Sequence, residues 1–182
     1  MNLLVYAQQY RQDLLQRIVP FWLKFGLDAE NGGYFCVLSA KGEVITTDKW
    51  VVWHAQQAWA FAKLYQFEPR PEYLEFARRG ADFLLLNAAD AKDNWWNSVD
   101  CTGRGVVETT DSCPEAATIS AWSLLYELTQ EETYAEAAKK TLAKAFRRRE
   151  KRLQKRAEDV LSGRHLKNLG ELSAMTKALI TS

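Results

Sequence analysis

Histidine and cysteine are scarce in this chain of 182 residues: His54 and His165 are its two imidazoles, and Cys36, Cys101 and Cys113 its three thiols. The cysteines form neither a CxxC pair nor an even set, so neither a zinc site nor a disulfide framework is expected, and no metal is assigned. Excess charge is lacking too. The 24 Lys and Arg against 23 Asp and Glu leave a net charge of +1, without a global field to draw nucleic acid or an anionic membrane. There is no apolar run of about eighteen residues and no basic stretch leading into a short apolar one, so neither a bilayer span nor an export signal is expected. These absences place the chain in the cytoplasm with reduced thiols. A Gly-rich phosphate loop, a Ser/His/Asp arrangement and HExxH are missing as well. Enzyme classes built on them are excluded, and no cofactor is expected.

What the chain does have is 47% apolar residues, 12% of the total being aromatic. That suffices for a sizeable core in a single domain, residues 1–182. The chain also matches itself at a constant offset of 61 residues. Tyr34 to Gly42 aligns with Trp95 to Gly103, and both stretches read as short hairpins turning at a glycine. Ala60, Phe61, Leu64 and Tyr65 align with Ala121, Trp122, Leu125 and Tyr126 at helical spacing. Tyr73 and Ala77 then align with Tyr134 and Ala138, with Pro71 at the first turn of the earlier copy.

Each unit is therefore hairpin, helix, loop, helix. Such a unit cannot bury both faces of its helix pair, so neighbours must cover it by stacking or by closing into a ring. About six helices are predicted, over residues 3–25, 49–66, 71–87, 115–129, 131–158 and 166–180, with the hairpins gathered at one end.

Residues 147–156 hold seven cations among ten positions, where a third hairpin would fall. Such a run attracts RNA or an acidic partner in some proteins. Here no aromatics are interleaved for base stacking, and cations near a helix C-terminus suit its dipole, so a solvated helix end is the preferred reading and no nucleic-acid partner is expected.

Several blocks, taken together, resemble the N-acylglucosamine 2-epimerase family. Phe21 to Phe35, containing Asp28-Ala29-Glu30-Asn31-Gly32-Gly33-Tyr34, looks like the family's opening helix and first hairpin. Thr47 to Trp50 and Gln57 to Tyr65 are similar to its second helix, Tyr73 to Ala77 and Gly80 to Leu84 to its third. Gly163 to Leu169 looks like a loop and helix start near the middle of full-length members. The resemblance implies an all-α fold, part of an (α/α)6 toroid, whose inner helices surround a cleft for the open chain of a sugar.

The implied reaction removes a proton beside the sugar carbonyl and returns it to the other face or to the neighbouring carbon. In that family two histidines act as base and acid, because imidazole gains and loses a proton near neutral pH. Both belong to a second half that this chain does not match, so no catalytic residue is assigned. Gln56 stands where the family carries a substrate-contacting arginine, and it has no charge to stabilise an enediolate oxygen.

The expectation is a truncated sugar epimerase or isomerase, inactive alone. The alternative is a noncatalytic sugar-binding or interaction module that pairs as a homodimer or with a complementary half-barrel chain. Trp50, His54, Gln56 and Gln57 are the candidate substrate-binding residues, His54 being equally readable as a hydrogen-bonded structural histidine. Trp53 and Trp59 are expected in the core.

Overall fold

The computed structural model describes residues 3–109 and 112–161. Its first helical stretch runs as α1 (Leu3–Asp13), a π turn (Leu14–Ile18) and α2 (Val19–Phe25). The π turn falls where Pro20 enters the helix. The proline ring would meet the carbonyl four residues earlier, so the ladder widens by one residue and the Val19 N–H bonds to the Leu14 carbonyl.

Two hairpins follow the repeat. The first pairs β1 (Val37–Leu38) with β2 (Val44–Thr46); the second pairs β4 (Trp96–Val99) with β5 (Gly105–Glu108). Their turns are copies of each other. Ser39 N–H donates to Glu43 O at 2.8 Å and Gly42 N–H to Ser39 O at 2.9 Å, while Asp100 N–H donates to Arg104 O at 2.8 Å and Gly103 N–H to Asp100 O at 3.1 Å. Gly42 and Gly103 sit at φ +87° and +90°, where a side chain would be strained, which is why glycine recurs at this offset. A short strand, β3 (Lys49–Trp50), pairs antiparallel with β4 and gives a three-stranded sheet in the order β3-β4-β5. The chain between the first hairpin and its helix is thereby tied to the second hairpin.

Four longer helices complete the described elements: α3 (Val51–Phe67), α4 (Pro71–Asn87), α5 (Cys113–Thr129) and α6 (Glu132–Leu161). Pro71 and Pro114 occupy first turns, where a missing N–H costs nothing. The core lies where α3 packs on α4 and α5. Ala55, Ala58 and Ala62 let the backbones approach, and Phe61, Tyr73, Phe76, Leu84, Trp122 and Leu125 fill the space between. Burying a Phe such as Phe76 contributes roughly 2–3 kcal/mol. The aligned pairs Tyr34 and Trp95, Phe61 and Trp122, and Tyr73 and Tyr134 are all buried, so the sequence repeat is also a repeat in packing.

Tyr34 has no exposed surface. Its ring stacks on Phe76 at 4.7 Å and its hydroxyl donates to the Phe76 carbonyl at 2.6 Å. The ring lies against α4 at Gly80, where a Cβ would stand 2.1 Å from it.

Residues 1–142 form one compact unit, and a second begins at Ala143. Within the second, the described residues are helical to Leu161, and the side chains of residues 143–159 are mostly exposed. The helix expected over 166–180 and the block 163–169 lie outside the described residues. Among those described, no helix is long and apolar enough to cross a membrane.

One expectation is corrected. Trp53 and Trp59, expected in the core, are 46% and 42% exposed, because α3 turns Val51, His54, Ala55, Ala58, Phe61 and Ala62 toward its neighbours and both tryptophans fall outside that arc.

Gly80→Ala is expected to destabilise the fold by about 3 kcal/mol, since backbone and a packed ring must both move. Alanine at Leu86, which is 80% exposed, should change stability by less than about 0.5 kcal/mol. Chemical denaturation of the two variants makes the comparison.

Candidate functional site

With α4 and α5 packed against it, α3 keeps one open side, and the sequence-predicted residues divide between that side and the packed one. Trp53 and Gln56 are exposed, and Trp50 and Gln57 are half-buried. Trp50 and Trp53 lie with ring centroids 5.4 Å apart, tilted by 36°. Gln57 stands one turn after Trp53 on the helix, and its amide Nε2 is buried without a hydrogen-bond partner among the described residues. A buried amide left so costs on the order of 1–3 kcal/mol. Further along, the Lys63 ammonium lies over the Trp59 ring at 5.7 Å.

His54 faces inward and is 1% exposed. Its Nε2 accepts the Tyr34 backbone N–H at 2.7 Å, which leaves the ring proton on Nδ1, 3.4 Å from Cys36 Sγ. Burial, helped by the charge of Lys49, pushes the imidazole down to about 3, against an opposing hydrogen bond with the Trp50 backbone. The ring is therefore neutral at physiological pH, with both nitrogens engaged by the fold. Cys36 sits beside it, accepts the Trp50 N–H at 3.3 Å, and is pushed by burial up to about 11, a thiol and not a thiolate.

Below this layer lies a group that sequence reasoning missed. Lys49 has no exposed surface, and its ammonium donates to Asp28 Oδ2 at 2.8 Å, Gly32 O at 2.6 Å and Cys101 O at 2.9 Å. All three protons are used. The Phe83 ring closes the site, 4.7 Å from Nζ. Asp28 accepts the N–H groups of Glu30 and Asn31 as well. Burial alone would raise its pKa, but the hydrogen bond and charge of Lys49 and these two amides together hold the carboxyl below its ordinary range. The run from Asp28 to Gly33 signals a capped turn, yet nothing local to it points to a lysine at position 49.

The open side of α3 thus offers indole faces and amides, suited to the apolar face and hydroxyls of a neutral polar ring. Proton abstraction is another matter, because the imidazole on this helix is closed off and neutral.

Acid should find the weak point of this layer. The ordinary value for His54 is 6.5 and the folded one about 3, so between these pH values the unfolded chain binds a proton that the folded chain refuses. Stability is then present above 6.5 and falls as the pH drops, by about 1.4 kcal/mol per pH unit. Asp28, whose pKa is lowered by folding, extends the loss below about pH 4. His54→Gln keeps an acceptor for Tyr34 and should flatten the profile between pH 6.5 and 4, which denaturant titrations at stepped pH measure. An unchanged slope would mean that His54 is not held neutral.

Residues 32–175 match the family model of N-acylglucosamine 2-epimerase. Bovine N-acylglucosamine 2-epimerase is 43% identical over 77 residues, 41% of this chain and 18% of that protein. The structure of cellobiose 2-epimerase from Bacillus thermoamylovorans B4167 superposes with a TM-score of 0.70 at 26% identity, covering 76% of this chain and 36% of that one. A sugar epimerase from a ruminal bacterium gives 0.69 at 26% identity, covering 75% and 35%. The chain therefore spans about a third of these solved relatives, and its helices and hairpins are those of part of an (α/α)6 toroid. On the family match, which extends across most of its length, the chain belongs to the N-acylglucosamine 2-epimerase family.

Proposed function

We propose that this chain is a sugar-binding part of a 2-epimerase, holding a neutral sugar against the open side of α3 and lacking, by itself, the proton-transfer groups for epimerisation. The observation that carries the reading is that half-exposed Trp53 stands one turn before Gln57, whose Nε2 has no hydrogen-bond partner among the described residues. Trp50 and Trp53 would stack on the ring, while Gln56 and Gln57 would hydrogen-bond its hydroxyls. His54 would act from beneath, orienting Tyr34 and the start of α3. With that imidazole neutral and engaged, α3 offers no poised acid–base pair for proton transfer.

Titration of the 182-residue chain with N-acetylglucosamine, N-acetylmannosamine and cellobiose, followed by tryptophan fluorescence, is expected to give millimolar binding. Trp53→Ala should weaken it by about tenfold, or about 1.4 kcal/mol. Proton NMR of the same mixtures should show no interconversion of epimers. Saturating sugar without a response would remove the binding reading, and turnover by the purified chain would remove the inactivity.

One further observation favours pairing with a second helical half. α1 has no buried residue, and Leu3, Leu4, Val5, Tyr6, Tyr10, Leu14 and Ile18 are all exposed along the first stretch. Apolar surface of that extent marks an interface. Light scattering behind size exclusion is expected to report a dimer, and Tyr10→Glu should shift it toward monomer. A monomer that persists at high concentration would contradict the pairing.

A further inference from the structure

Burying an ion pair is costly, and evidence for what it does comes from how its neighbours manage without one. The repeat supplies that comparison. In the second unit Asp90 follows the end of α4 as Asp28 follows the end of α2, and its carboxylate accepts the N–H groups of Lys92 and Asn94 and the Asn94 amide. This loop is capped by its own backbone and side chains.

The first unit adds Lys49, which caps nothing in its own strand. Its three bonds run to the loop after α2 at Asp28 and Gly32 and to the turn of the second hairpin at Cys101, and its ring contact is with α4 at Phe83. The next residue is Trp50, the cap of α3, whose ring meets Trp53 and whose N–H meets Cys36. One ammonium thus joins three separate segments within one residue of the indole pair.

We propose that Lys49 is a positioning residue: it latches the second hairpin to the first loop and so fixes the Trp50–Trp53 face in its ligand-ready orientation. Capping of the loop does not require it, since among the described residues Asp90 caps its loop through Lys92 and Asn94 with no buried lysine beside it. Nor is the pair by itself evidence of stability, because replacing both buried charges together is often neutral, whereas removing one partner alone leaves the other uncompensated. What a methionine at position 49 cannot do is hold the Cys101 carbonyl. The effect on ligand affinity rests on the sugar-binding reading above; the latch itself does not.

The test compares Lys49→Met, the charge-neutral double variant Asp28→Asn/Lys49→Met, and the unaltered chain. Amide hydrogen exchange over residues 96–108 should accelerate by about tenfold or more in both variants, while α4 amides hardly change, because a local opening is being released and not the global one. The coupled-indole band of Trp50 and Trp53 in the circular dichroism spectrum should weaken well below the melting temperature, a signature that a loss of stability alone does not produce. Sugar affinity should fall about tenfold or more in parallel.

Where Lys49→Met leaves Asp28 unpaired and does not fold, the double variant carries the comparison. A double variant that also fails to fold would overturn the proposal, the pair then being a requirement of the fold. Equal acceleration in 96–108 and α4, or none in 96–108, would overturn it too. If the unaltered chain binds no sugar while the hairpin still loosens in the variants, the sugar-binding reading fails and the latch stands.

Discussion

An ammonium ion removed from water must find an acceptor for each of its protons, and around Lys49 those acceptors come from parts of the chain far apart in sequence. That requirement ties the loop after α2, the strand ahead of α3 and the second hairpin into one mouth. A second layer packs beside it. His54 receives the Tyr34 N–H, Tyr34 packs on Phe76 and α4, and Cys36 receives the Trp50 N–H. The α3 residues that face outward are therefore presented by a support that is polar, buried and satisfied, the condition under which a polar network specifies one arrangement.

The same support explains the chemistry of the site. Closing His54 into a neutral, doubly engaged state removes it from proton transfer and makes it a strut. Burial likewise keeps Cys36 a thiol. In the proposed reading, ligand contact falls to groups without titration, two indoles and two amides, which suit a neutral ligand. Family membership gives these groups a context: relatives named as N-acylglucosamine 2-epimerase and cellobiose 2-epimerase share this fold over a length that in them continues well beyond the matched stretch.

Much of the architecture was legible because a helical repeat writes itself into sequence twice. The offset that aligned Tyr34 with Trp95 and Tyr73 with Tyr134 located the hairpins and helices, and Gly42 and Gly103 marked turns that no other residue adopts without strain. Sequence alone reads Lys49 and Trp50 as helix, but pairing with β4 claims them, and α3 begins two residues later. Hydrophobicity points Trp53 and Trp59 to the core, but it ranks residues and does not say on which side of a helix its neighbours will lie.

The sequence by itself determined the units, their order and their turn chemistry, because these follow from helical periodicity, from glycine's access to positive φ and from proline's missing donor. Tertiary structure alone decided which α3 residues face outward, that His54 is closed in, and that Asp28 and Lys49 meet. Those outcomes depend on distances between segments remote along the chain, and a buried charge is recognisable only by the partners that surround it.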